Sequence, residues 1–522
     1  MSRDILFNRE AQEKLKRGVN TIADAVAATM GPSGQCVAIE NAAGYPTLTK
    51  DGVTVAREVS LVDRFERLGA DMVREAAKKT NDIAGDGTTT ATVLARAIFN
   101  EGYKLVAAGE NPVTVRQNIE QATAEVVKNL AAMATPVDSL EKLEQVASIS
   151  ANDRELGKVI AGLMDEVGKD SLITLEESPS FGIETELTKG MKLEGGYVSP
   201  YMVTNPEKMI AEMADCPVFV CDRKITLAQE ILPLMEDMAK KGQKDLLIVT
   251  DNVEGEALAV LVVNKQRGVF NGVAMRCPGI GDHRRREQMR DICALTGATF
   301  ISEETGKDIK EIKSDVLGKA RKIIVSQDHT TIIGGYGKQE DVDIRIGAIK
   351  SELESTKSDY DEQKLKERLG HLTGSVGVIK IGGTNEVEIK EKKQRVEDAV
   401  NATRAAQEEG IVVGGGIALL RAATSLNDRS VASAVLNACQ SPIKTIAENA
   451  GKNGEVVLEA CLKLPKDSNE GYNAATDTYE DLMAAGVIDP VKVTRTALEN
   501  ASSIACLLLT TKAALVTSEE KK

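Results

Sequence analysis

The sequence predicts a multidomain fold of α and α/β parts: a mainly helical domain assembled from both ends of the chain, with an α/β domain inserted between them. Three observations carry this. The chain has 522 residues, more than one compact core accommodates. Both outer parts place apolar residues at three- and four-residue spacing, the period of one helix face. The middle instead alternates short apolar runs with helical stretches, the pattern of an α/β domain.

In the first part, Ala11, Leu15, Val19, Ile22 and Val26 form one helix face, stopped by Gly31-Pro32. A strand is expected over 35–40, a second over 46–49, and a helix over about 64–84 that breaks at Gly85-Asp86-Gly87 and restarts at Thr88. In the middle, VFVC (218–221), LLIVT (246–250), VAMRC (273–277) and TFIS (299–302) are the apolar runs, and Gly190 and Gly374 lie near the edges of this part, where a hinge fits. A highly charged helix is expected over about 386–409, ended by Gly410. The apolar IVV then leads into Gly414-Gly415-Gly416 and a further helix. No short-period repeat is present.

Composition narrows the function. A net charge of −14, from 65 basic and 79 acidic residues, repels phosphate backbones and speaks against a general nucleic-acid binder. The basic run His283-Arg284-Arg285-Arg286 reads as a solvated helix start. No apolar run is long enough to span a bilayer. The N-terminus has neither an apolar signal core nor an Arg-rich, acid-poor presequence, so the expected compartment is cytoplasmic, a processed organellar form being compatible.

The 8 cysteines include no C-x-x-C. Cys216 and Cys221 fall at an odd offset on an expected strand, on opposite faces, and reduced, buried thiols are expected. Three separated histidines (His283, His329, His371) oppose a zinc site or a histidine triad. With no Trp and 3% aromatics, the core must be built from Ala, Val, Leu and Ile.

The residues best suited to chemistry are Gly85-Asp86-Gly87-Thr88-Thr89-Thr90. Glycines let backbone approach a ligand, a helix starting at the threonines aims N–H groups and its positive dipole end at an anion, and Asp86 is a hard oxygen ligand suited to Mg²⁺ bound with phosphate. The same residues could merely cap a helix. Thr29-Met30-Gly31-Pro32-Ser33-Gly34 reads by itself as a helix C-cap, Lys50-Asp51-Gly52 as a turn between strands, and Gly414-Gly415-Gly416 as either a phosphate cradle or close helix packing. No G-x-x-x-x-G-K-[ST] is present, and Gly279-Ile280-Gly281 lacks the third glycine of a dinucleotide fingerprint.

Taken together, these segments resemble the group I chaperonins, the GroEL-like 60-kDa chaperonin large subunits. The resemblance runs in order along essentially the whole chain. It is carried by TMGPSG (29–34), TKDGVTVARE (49–58), NDIAGDGTTTATVLA (81–95), SISAN (148–152), GYVSPY (196–201), EGEALA (254–259), SDYDEQKL (358–365), VEIKEKKQRVEDA (387–399), EEGIVVGGG (408–416), GYNAAT (471–476) and DPVKVTRTAL (489–498).

It implies a helical equatorial ATPase domain (1–133 and 409–522), a small intermediate hinge domain (134–189 and 375–408) and an α/β apical domain (190–374). It also implies ATP, Mg²⁺ and K⁺ as cofactors. The nucleotide site it implies comprises Thr29, Met30, Gly31, Pro32, Lys50, Asp86, Gly87, Thr88, Thr89, Thr90, Ser150, Gly414, Gly415, Asn473, Ala474, Ala475 and Asp489, with Asp86 on the metal. Asp51 and Asp398 would position and activate the attacking water. Unfolded client proteins would bind an exposed apolar face of Tyr197, Tyr201, Met202, Leu232, Met235, Leu258, Val262 and Val263. Further implied partners are a small co-chaperonin ring and identical subunits in a seven-membered ring, single or stacked in two.

The sequence departs from the family pattern in three places. It carries no Gly-Gly-Met tail, it has Ser375 where the family often has a second hinge glycine, and its segment Gly451-Lys452-Asn453-Gly454-Glu455 differs from the usual ring-to-ring contact.

Overall fold

A computed structural model describes residues 3–40, 46–151, 153–168, 173–178, 182–206, 208–277, 282–302, 309–356, 359–426, 432–465 and 468–517. Gly279-Ile280-Gly281 and residues 518–522 lie outside these. The chain divides into two compact units, one of residues 1–165 and 383–522, the other of residues 166–382. The segments expected to form a hinge domain are shared out: 134–165 and 383–408 fall in the first unit, 166–189 and 375–382 in the second. Gly190 and Gly374 lie inside the second unit, and Gly190 sits mid-strand.

The first passage through unit one runs β1 (Arg3–Phe7), α1 (Asn8–Ala27), β2 (Val37–Glu40), β3 (Pro46–Thr49), α2 (Gly52–Glu58), α3 (Arg64–Ala84), α4 (Thr88–Ala107), α5 (Pro112–Ala132) and α6 (Leu140–Ala151), and α7 (Arg154–Val167) leads out of it. The expected face of α1 is buried as a stripe. Two glycines let α1 and α3 touch backbone to backbone: a Cβ on Gly18 would lie 1.7 Å from the Glu66 carbonyl oxygen, and one on Gly69 would lie 2.2 Å from that of Leu15. Asp63 caps α3 through the N–H groups of Phe65 and Glu66, and Asn111 with Pro112 starts α5.

Unit two contains β4 (Ile173–Glu177), β5 (Gly182–Glu194), β6 (Ala211–Val220), β7 (Lys224–Ile225), α8 (Leu232–Lys240), β8 (Asp245–Thr250), β9 (Asn252–Val253), α9 (Gly255–Gln266), β10 (Asn271–Arg276), α10 (Asp282–Thr296), β11 (Gly318–Val325), β12 (His329–Gly335), α11 (Gln339–Ser355), α12 (Asp359–Thr373) and β13 (Ser375–Gly382). One eight-stranded mixed sheet runs β10-β8-β6-β11-β12-β5-β13-β4. β10, β8 and β6 are parallel, and their central residues (Val218–Val220, Leu246–Val249, Val273–Met275) are buried on both faces, as the apolar runs predict. TFIS is not a strand: Ile301 makes a single bridge to Cys221.

The basic run at 284–286 is not a solvated face either. Arg284, Arg285 and Arg286 on the first turns of α10 pair with Asp361, Asp251 and Asp222, carboxylates that offset cations placed at the unfavourable positive end of a helix. Seven cysteines are buried, and Cys36 is exposed.

The chain then returns to unit one with α13 (Glu386–Glu409), β14 (Ile411–Val413), α14 (Ile417–Ala423), α15 (Ala432–Cys439), α16 (Ser441–Asn449), α17 (Gly454–Lys463), β15 (Glu470–Asn473), β16 (Thr478–Asp481), β17 (Ile488–Pro490), α18 (Val491–Thr510) and β18 (Ala513–Thr517). Helix α18 packs on α3, α4 and α5 and is the centre of the core, while β18 closes back antiparallel on β1. Among the described residues no helix is long and apolar enough to cross a membrane.

Candidate active site

The reversal from α3 to α4 takes three residues. Gly85 ends α3 at φ 72° and Gly87 starts α4 at φ 84°, left-handed angles that only glycine adopts cheaply. Gly87 has no side chain with which to cap α4, and Asp86 does not cap it: its carboxylate accepts the Gly87 N–H at 2.5 Å. The first turn of α4, Thr88-Thr89-Thr90, thus presents uncapped N–H groups and a positive dipole end. This favours the phosphate reading of the loop over the capping one.

A second helix start lies against the first. Asp51 is the N-cap of α2, accepting from Val53 N–H (3.1 Å), Thr54 N–H (2.7 Å) and the Thr54 hydroxyl (2.5 Å). Lys50-Asp51-Gly52 therefore begins a helix rather than turning between strands. A Cβ on Gly52 would lie 2.2 Å from Thr89 Oγ1, so the two helix starts are in contact. From the far end of the chain, β17 brings Asp489, paired with Val412 of β14. Gly87 approaches the same region, since a Cβ there would lie 2.7 Å from Val493 Cγ1.

Electrostatics tie these carboxylates together. Burial raises Asp86 above its usual range, against the Gly87 N–H bond that lowers it, and the Asp51 charge raises it further. Burial and then the Asp86 charge push Asp489 up to about 7. Carboxylates that repel one another in a desolvated place fit a bound cation. Among the described residues no three acidic, His or Cys groups cluster closely enough to hold a metal by themselves. Mg²⁺ takes one or two carboxylates and completes its shell with phosphate and water.

Helix α13 carries Asp398. A Cβ on Gly85 would lie 2.3 Å from Asn401 Cβ, and Asp398 is one turn before Asn401 on the same helix face. The C-terminal end of α13 is fixed to α18 by Glu409 with Arg495 (3.0 and 2.6 Å) and by Glu408 with Lys492 (2.6 Å). Asn401 was not singled out from the sequence, and no spacing marks it.

The remaining expected nucleotide residues are placed as follows. Asn449 Nδ2 donates to the carbonyls of Ala27 (2.9 Å) and Met30 (2.8 Å) and so holds the 29–32 loop, a role the sequence does not signal. Gly414 donates to the Val487 carbonyl at 2.9 Å. Gly416 is a packing glycine with Ile443 N 2.9 Å from its missing Cβ, whereas Gly415, at φ 64°, has nothing nearer than 3.7 Å. Asn473 is buried, donates to Glu480 at 2.8 Å and accepts from Ala475 N–H at 3.0 Å, with Ala474 half-buried and Ala475 exposed. Lys50 is exposed. Ser150 lies on α6, and its buried hydroxyl has no partner among the described residues.

In unit two, the expected exposed apolar face is only partly at the surface. Tyr201 (68% exposed) and Val263 (42%) are open, and Leu232, Leu258 and Val262 are half-buried. Tyr197, Met202 and Met235 are buried in the core of this unit.

The fold is that of a chaperonin. The TCP-1/cpn60 chaperonin family matches residues 22–519, and the chain belongs to that family, whose members are ATPases that assist protein folding. Among solved structures, it is similar to the chaperonin gp146 from the bacteriophage EL 2 (Pseudomonas aeruginosa), crystallised in the presence of ATP-BeFx. Over 99% of both chains the identity is 24%, with a TM-score of 0.68 for one crystal form and 0.63 for another.

Proposed function

We propose that the chain is a group I chaperonin subunit that hydrolyses ATP in order to capture non-native proteins on its second unit and enclose them in a ring cavity. The observation that carries the ATPase reading is the meeting of two helix starts, α2 and α4, with Asp86, Asp489 and the Asp398-bearing helix α13 around one glycine loop. The α4 N-terminus receives the phosphates through backbone N–H groups and threonine hydroxyls. Asp86 would hold Mg²⁺, which would supply charge neutralisation at the phosphates. Asp51, held by its own helix cap, and Asp398 orient the attacking water, and positioning of this kind is most of what phosphoryl transfer requires.

Clients bind through Tyr201 and Val263 with the half-buried Leu232, Leu258 and Val262; Tyr197, Met202 and Met235 join only if the segments covering them move. Identical subunits form a seven-membered ring, and a small co-chaperonin ring closes it. The test is Asp398→Ala, assayed for ATP binding by calorimetry and for steady-state phosphate release. Retained binding with turnover reduced about a hundredfold supports the role, and near-normal release removes it.

A further inference from the structure

The parallel strands β6, β8 and β10 end side by side, and the segments leaving them wall a cleft of about 700 Å³. In open α/β sheets the carboxyl ends of parallel strands are where ligands settle. Lys224 comes from the segment after β6, Asp251 and Asn252 from the segment after β8, and Arg276 and Cys277 from the end of β10. Register sets Lys224 beside Asn252 across the β7–β9 pair, and Arg276 donates to Asn252 Oδ1 at 3.0 Å, so the cations Lys224 and Arg276 come from segments that both adjoin Asn252.

Opposite stands the chain Glu194–Val198, which approaches closely because residue 196 is glycine: a Cβ there would lie 2.0 Å from the Gln327 carbonyl oxygen. Tyr197 lines the cleft. It is 8% exposed, and its buried hydroxyl has no hydrogen-bond partner among the described residues, so a donor waits for an acceptor. Of the lining acids, Asp251 is paired with Arg285, which leaves Glu194 against Lys224 and Arg276.

We propose that this cleft binds a small phosphate-bearing molecule. An ammonium, a guanidinium and a phenolic hydroxyl are a donor set matched to phosphate oxygens, and the guanidinium fork adds orientation. Burial pushes the Cys277 thiol up, so it stays protonated and is no nucleophile: the cleft binds its ligand without bonding to it.

The test uses the full chain with ADP and Mg²⁺ at saturation, so that the nucleotide site of the first unit is filled. Glycerol 3-phosphate is the probe, with glycerol and citrate as controls at constant ionic strength. Hydrogen exchange is followed at 194–198, 222–225 and 250–253. Millimolar glycerol 3-phosphate should slow exchange in these segments and glycerol should not. Lys224→Met with Arg276→Met, both at exposed positions, should weaken this protection about tenfold or more. Tyr197→Phe should weaken it about fivefold, the worth of one hydrogen bond. Absence of protection in the unmodified chain, equal protection in the double variant, or protection by citrate alone would each overturn the proposal.

Discussion

Gly85 and Asn401 stand so close that a methyl group on Gly85 would lie 2.3 Å from Asn401 Cβ. The turn between α3 and α4 is thus also the seat of the helix that carries Asp398. Any side chain at position 85 must push α13 away, and at φ 72° an L-residue is strained by about 1–2 kcal/mol besides. Gly85→Ala should lower ATP turnover by about tenfold to a hundredfold, because small misplacements of positioning groups are costly. Combining it with Asn401→Gly, which removes the obstructing side chain, should restore part of that rate. Phosphate-release rates of the single and double variants check both statements.

Asp291 holds α10, α11 and α12 together. It is 2% exposed and accepts from Arg345 (2.8 and 2.6 Å) and Arg368 (2.9 and 3.2 Å), with Glu287 beside it. Removing the carboxylate leaves two guanidinium groups short of charge in a desolvated place. Asp291→Ala should destabilise unit two by about 3–5 kcal/mol. Replacing all three residues with apolar ones of similar volume should cost far less. Urea unfolding of both variants, followed by hydrogen exchange in α10, separates the outcomes.

How far the sequence reaches depends on how local the cause is. The extents of α3 and α13 follow from periodicity and from Gly85 and Gly410, and the helix start at Thr88 from the glycine–threonine run. Lys50-Asp51-Gly52 misleads because Asp-Gly is equally a turn and a cap-plus-first-residue, and only the contact of Gly52 with Thr89 selects the helix. TFIS has the composition of a strand, but only Ile301 finds a bridge partner. The meeting of Asp51, Asp86 and Asp489 brings together residues 35 to 438 positions apart, and no local pattern encodes it. Likewise Tyr197, Met202 and Met235 are apolar enough for either core or surface, and it is packing that buries them.

Gly18 and Gly162 make opposite cases of the same substitution. At Gly18 the new methyl meets the Glu66 carbonyl oxygen at 1.7 Å, and backbone cannot give way without separating α1 from α3. Gly18→Ala should cost about 3 kcal/mol or more. Around Gly162, in α7, nothing lies within 4 Å of the new methyl. Gly162→Ala should therefore stabilise by about 0.5–1 kcal/mol through helix propensity alone. Thermal unfolding midpoints should move in opposite directions.

Asp237 gives unit two a sensitivity to acid. Its carboxylate accepts the Ser314 hydroxyl at 2.5 Å and the Ser314 N–H at 3.0 Å, with Lys241 Nζ at 3.2 Å, tying α8 to the turn at 314–316. The Ser314 bonds first, and then Lys241, hold it well below its usual value of 3.8. A group depressed in the folded state contributes stability that is complete above its unfolded value and is lost as pH falls through that value toward the folded one. Asp237→Asn keeps the shape but removes the charge. The unmodified chain should therefore be more resistant than the variant at pH 7, and the gap should close progressively below about pH 4. Hydrogen exchange of α8 across that range is the measurement. A gap that stays constant down to pH 2 would mean that the carboxylate charge plays no part in holding α8 to the 314–316 turn.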